Sequence, residues 1–167
     1  TKRVVADFWR RFVYVPTGYL VGAEDGGELR ALELAGAGAA VGKVVTVVKG
    51  VDTGSTGGDA RFDVSESGTL AYVRKERGRR SLVIVDQHGQ ATRVQAPGEE
   101  VEGVRLSPDG RRVAVVANFV LSIVDLDRGT TTPLVPELDG PAGARSGPVW
   151  SPDGTSVTFA SNHEGNW

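Results

Sequence analysis

With 167 residues, 40% of them hydrophobic and 24% charged, the chain has material for one folded domain with a core of useful size, which sets it apart from a disordered tail. Nineteen Lys and Arg against twenty-one Asp and Glu leave a formal charge of −2, so no overall field selects nucleic acid or an anionic membrane. The absence of cysteine excludes disulfides, thiolate nucleophiles and Cys-ligated metal, and the absence of methionine reads as a segment of a longer chain.

The chain opens on "TKRVVADFWRRF", where charges interrupt any signal-peptide core. Residues 1–10 are expected to be a lead-in strand or the remnant of a preceding unit. From there a repeat governs the sequence. "VYVPTGYLVGA" around Gly18, "FDVSESGTLAYV" around Gly68, "VRLSPDGRRVAVV" around Gly110 and "PVWSPDGTSVTFA" around Gly154 line up, with glycine separations of 50, 42 and 44 residues. That period is the length of one four-stranded propeller blade. Each glycine follows a short apolar strand, ending at Val15, Val64, Leu106 or Trp150, and precedes an alternating one. Ser107-Pro108-Asp109-Gly110 and Ser151-Pro152-Asp153-Gly154 spell tight hairpins. Proline presets φ at the first central position, aspartate suits the second, and glycine takes the left-handed conformation that returns the chain to a strand.

Third strands follow at "LRALELA", "SLVIVDQHG" and "LSIVDLDRG", reaching an acid at Glu33, Asp86 or Asp125; the latter two run on to a turn glycine, Gly89 or Gly129. Fourth strands are "KVVTVVKGV", "ATRVQA" and "TTPLVP". The alanine-rich "ALELAGAGAAVGKVV" carries glycines and no apolar stripe, so it reads as strand and connection rather than helix. The result is an all-β fold, a partial β-propeller of four-stranded antiparallel blades. Blades are expected at 11–52, 60–98 and 101–138, with the first half of a fourth at 147–167, about three and a half in all. The longest apolar run, Val113 to Val124, is interrupted by Asn118 and Ser122 and falls short of the roughly 20 residues a membrane span needs.

Several motifs suggest chemistry. Asp52-Thr53-Gly54-Ser55 matches the aspartic-protease signature, but no second copy faces it, and the position is the glycine-rich connection between the first two blades. Ser55 lacks the strand–elbow–helix context of an esterase nucleophile. His88 and His163, the two histidines, sit in turn-like surroundings without a ligand cluster. Asp125 and Asp127 alternate as in a calcium loop, yet the third acid and distal glutamate are missing. Trp150 occupies the position of Val64 and Leu106 and reads as blade-to-blade core. "RKERGRR", residues 74 to 80, sets Arg74, Lys75, Arg77, Arg79 and Arg80 against one acid. It is either a solvated loop centred on Gly78 or a docking loop for an acidic partner or phosphate. No catalytic residue, cofactor-binding residue or metal ligand is expected, and no cofactor.

The run "LSPDGRRVAVV…LSIVDLDRGTTTPLV…GPVWSPDGTSVTFASNHEGNW" resembles TolB-type, WD-repeat-like propellers. The "P-T-G-x-L-V" and "F-x-V-S-x-x-G-T-L-x-Y-V" blades are similar to propellers that follow the eukaryotic-like serine/threonine kinases of bacteria. The resemblance covers residues 12 to 167. It implies a non-catalytic sensor or interaction module that binds a protein, peptide or small ligand, in a periplasmic or extracytoplasmic setting. It also implies that remaining blades of the same propeller lie elsewhere in the parent chain, as does any kinase, since no Gly-rich phosphate loop and no H-R-D run occurs here. The alternative it raises is an accessory propeller that gates a prolyl-oligopeptidase-type peptidase domain lying outside this segment.

Overall fold

Period-two alternation of apolar and polar residues, punctuated by glycine turns, builds the chain out of strands. The computed structural model describes residues 11–35, 39–40, 42–54, 60–76, 79–94, 98, 101–134 and 145–161. Residues 1–10, Ser55, Arg77 and His163 lie outside them.

The first sheet holds β1 (Arg11–Val15), β2 (Tyr19–Ala23), β3 (Glu28–Ala35), the two-residue β4 (Ala39–Ala40) and β5 (Val45–Lys49). The long β3 pairs with β5 through Glu28 to Ala31 and with β4 through Leu34 and Ala35. The second sheet runs β6 (Phe62–Val64), β7 (Leu70–Glu76), β8 (Arg79–Val85), β9 (Ala91–Val94). The third runs β10 (Val101–Leu106), β11 (Arg112–Ala117), β12 (Val120–Asp125), β13 (Thr130–Pro133), and β14 (Arg145–Trp150) pairs with β15 (Val157–Ser161). Every pairing between named strands is antiparallel, and the second and third sheets are simple meanders.

The core lies between sheets. Phe62, Leu29, Ala23 and Val51 fill the space between the first and second, and Val73, Leu82, Val104 and Val113 that between the second and third. Trp150, Val157 and Phe159 pack on Ala114, Val116 and Leu121. Stacked sheets of this kind bury both faces of a central blade, which is why β11 reads as a continuous apolar run, Val113 to Ala117 all buried. The first strands of successive sheets come together, β10 beside β6 and β14, and β1 beside β6. A meander then places its first and third turns at one end of the sheet and its second turn and outgoing connection at the other.

Two local features differ from the sequence reading. Val51 forms a bridge with Arg74, and the Asp52 amide donates to the Val73 carbonyl at 2.8 Å, so the end of the first blade's span is hydrogen-bonded into the second sheet. The loop expected over 74 to 80 is mostly strand: β7 extends through Glu76 and β8 restarts at Arg79, with Lys75 paired to Arg80 and Glu76 to Arg79. The cross-strand ladder continues because nothing in these residues removes a backbone donor or forbids extended φ.

Candidate functional site

The repeated turns occupy one end of the sheets. Gly18, Gly68, Gly110 and Gly154 adopt φ of 96°, 88°, 72° and 68°, and each amide donates back to the carbonyl three residues earlier, at Val15, Ser65, Ser107 and Ser151. In the third sheet the Ser107 hydroxyl donates to Asp109 Oδ1 at 2.5 Å and accepts the Arg112 amide at 2.9 Å, while Asp109 Oδ1 takes the Arg111 amide at 3.0 Å. Pro108 stands between them at the first central position. Ser151, Pro152 and Asp153 repeat the arrangement, with the Thr155 amide and hydroxyl both donating to Asp153. The Ser151 hydroxyl first, then the Thr155 donors, hold the Asp153 carboxyl down at about 2. The Ser107 hydroxyl and Arg111 amide likewise keep Asp109 below the usual carboxylate range. These acids are committed to their turns.

The neighbouring third-to-fourth strand corner is used in the same way. Asp125 accepts the Arg128 amide at 2.9 Å, and Asp127 pairs with Arg111 at 2.9 Å. His88 is exposed in the corresponding corner of the second sheet, its amide donating to Asp86 at 2.8 Å. Among the described residues no group of three or more His, Asp or Glu is placed to hold a metal ion.

The opposite end, where the inner strands begin, is built differently. A depression of about 310 Å³ opens between them, walled by Arg11, Arg61 and Arg105 with Glu102 as its one acid and Gly103, Gly147 and Pro148 completing it. Both inner strands that contribute glycine are irregular there: β10 shifts register between Val101 and Gly103, and β14 between Ser146 and Val149. A Cβ on Gly103 or Gly147 would meet nothing within 4 Å, so neither glycine serves close packing and both leave backbone bare at the site. Bulges and strand glycines recur where a ligand approaches the backbone.

The arginines are held by neutral carbonyls. Arg11 donates to the Ala60 carbonyl at 3.1 Å, with its guanidinium 5.2 Å from the Phe62 ring centroid. Arg61 donates from Nε to the Glu102 carbonyl at 3.1 Å, and Arg105 donates to the Val104 carbonyl at 2.9 Å. Behind the wall lies Asp52, 3% exposed, whose Oδ2 accepts Arg61 at 2.8 Å and Arg80 at 2.6 Å, while Oδ1 accepts the Gly54 amide at 3.2 Å. Burial pushes this carboxyl up, but the Arg80 hydrogen bond, the Gly54 amide and the two guanidinium charges outweigh it and leave it below its ordinary value. Asp63 behaves oppositely. Its Oδ2 accepts the Leu106 amide at 2.9 Å, and burial raises its carboxyl further than Arg105 and that amide can lower it.

Of the basic run, Arg80 is thus tied to a buried carboxylate and the Arg74 backbone bridges to Val51, so these two serve the fold. Trp150 joins sheets, its indole N–H donating to the Arg105 carbonyl at 3.0 Å and the Arg112 guanidinium lying 5.0 Å from its ring. Sequence reading passed over Arg61, Arg105, Asp63 and the burial of Asp52. The available signal was a charge in or beside each first strand and a glycine inside β10 and β14, both visible once the repeats are aligned.

Antiparallel sheets stacked face to face, with their first strands gathered about one line, define an all-β, partial β-propeller of TolB-like and WD-like type. Solved structures bear this out. The chain is similar to TolB from Acinetobacter baumannii, with TM-score 0.66 and 15% identity over 89% of this chain and 36% of that one. It is similar to Kluyvelomyces marxianus Hsv2, with TM-score 0.66 and 14% identity over 97% of this chain and 47% of that one. It also resembles Porphyromonas gingivalis dipeptidyl peptidase 4, with TM-score 0.60 and 17% identity over 89% of this chain and 24% of that one. At such identities the likeness establishes the fold alone, and the chain spans half or less of each of these structures. No family model and no curated protein sequence matches it.

Proposed function

We propose that this chain is part of a non-catalytic binding module, a propeller whose inner-strand end receives a protein, peptide or small ligand. One observation carries the reading: the arginine-walled depression over bare glycine backbone, lined by two inner strands whose register shifts there. A rigid set of sheets presenting one adaptable polar concavity is how such folds usually carry binding. In this reading, further blades of the same kind cover the outer faces of the first and last sheets, where Phe12 and Tyr14 on one and Val149 on the other are more than half exposed. The sequence resemblance supports a parent such as a receptor-like serine/threonine kinase, with the propeller as its sensor, or an envelope protein of TolB type.

The test is a photo-crosslinking amino acid at Pro148 in the depression, with one at exposed Val47 on β5 as control. A discrete partner captured in the native host from position 148 and not from 47 is the expected result. Capture from 47 alone, or from neither, refutes the reading. A second reading is favoured by the likeness to dipeptidyl peptidase 4: an accessory propeller beside a peptidase domain. The reading frame beyond residue 167 separates the two, since a G-x-S-x-G followed by Asp and His belongs only to the second.

A further inference from the structure

Resting on the binding-module reading, we infer that the inner-strand depression takes a carboxylate, presented as an acidic side chain of a peptide, between Arg105 and Arg61 over the bare backbone of Gly103. Arg105 lies in no ion pair among the described residues; one Nη1 proton goes to the Val104 carbonyl, and the rest of its planar fork is left to donate. Arg61 commits Nε and Nη1 and keeps Nη2. Carbonyl bonds fix both groups, and Arg61 is held further by its ion pair with Asp52, so the remaining planar donors are preorganised for a bidentate anion.

Arg11, Arg61 and Arg105 line the depression, with Glu102 as the one acid among its described lining residues, so its wall favours an anion. A volume of about 310 Å³ is at the small end for ligand pockets and admits an acidic side chain. Gly103 lines the depression, and a methyl added there meets no protein atom within 4 Å.

The full chain is titrated calorimetrically at low salt with capped tetraglutamate, capped tetraglutamine, succinate and inorganic phosphate, and Arg105→Gln and Gly103→Ala are compared with the parent. Tetraglutamate alone among the peptides should bind, weakening about tenfold in Arg105→Gln, as loss of a charge-assisted hydrogen bond implies. Gly103→Ala should weaken it comparably while leaving the unfolding midpoint unmoved. Succinate binding as tightly as the peptide overturns the peptide as source. Tetraglutamine binding equally, or phosphate binding more tightly, overturns the carboxylate. Unchanged affinity in both variants overturns the location, and the absence of heat with every probe overturns the site. Crosslinking at Pro148 needs no particular charge, so a partner captured there with no probe bound leaves the module reading standing and sinks only this one.

Discussion

Gly68 and Gly110 hold the same turn position in successive blades, yet alanine should cost very different amounts at the two. Both adopt left-handed φ, 88° and 72°, where a Cβ adds about 1–2 kcal/mol of strain. The unfolded chain loses freedom on the same substitution, returning about 0.4–1 kcal/mol. At Gly68 nothing lies within 4 Å of the new methyl, so the net cost is about 0–1.5 kcal/mol. At Gly110 the methyl would come to 2.7 Å from the Ser67 hydroxyl and 2.8 Å from those of Ser65 and Thr69, all on the preceding blade. That turn also receives the Ser67 hydroxyl at the Asp109 carbonyl, 3.3 Å, so displacing it loosens the contact between blades. Overpacking adds about 1–3 kcal/mol, for roughly 1–4.5 kcal/mol in all. In thermal unfolding each kcal/mol moves the midpoint of a chain this long by about 2–4 °C, so Gly110→Ala should melt several degrees below Gly68→Ala. Equal midpoints would refute the claim that this turn is wedged against its neighbour, as would full recovery of Gly68→Ala behaviour only when Leu126, on the turn's own blade, is trimmed.

Other outcomes follow from the buried charges. Asp52→Ala strands Arg61 and Arg80 beside an apolar gap and should destabilise by about 2–4 kcal/mol in urea titration, near the low end for a buried pair because both guanidiniums are partly exposed. Asp52, held below its ordinary value, contributes stability that is present above the unfolded aspartate value near ~3.9 and disappears as pH falls through its native one. Asp63 has the other sign: with its native value raised, its contribution is full below ~3.9 and is lost as pH rises through the native value. Asp63→Asn, which keeps an oxygen for the Leu106 amide, should therefore raise the denaturation midpoint at neutral pH and flatten the profile above ~3.9; a lowered midpoint contradicts the burial argument. Trp150→Phe removes the indole donor to Arg105 and should cost about 1 kcal/mol, measured against Trp150→Phe in a chain already carrying Arg112→Ala.

What the sequence by itself determined is everything whose cause is local. A Ser-Pro-Asp-Gly turn is closed by bonds within five residues, from Ser107 to the Arg112 amide and from Gly110 back to Ser107, so its spelling specifies its shape. The alternation on either side specifies strands, and its repetition at blade length specifies the stacking of four-stranded sheets. The site depends on bonds between residues distant in the chain. Asp63 reaches the Leu106 amide, Arg61 the Glu102 carbonyl, and Asp52 gathers Arg80 from a strand edge that looked like a solvated loop. Asp52 looked like part of a catalytic word because its neighbours in sequence are glycine and threonine; its partners in space are two arginines. A charge's meaning is set by what desolvates and faces it, and here those groups lie far along the chain, 28 residues between Asp52 and Arg80, 41 between Arg61 and Glu102 and 43 between Asp63 and Leu106, where only the tertiary structure brings them together.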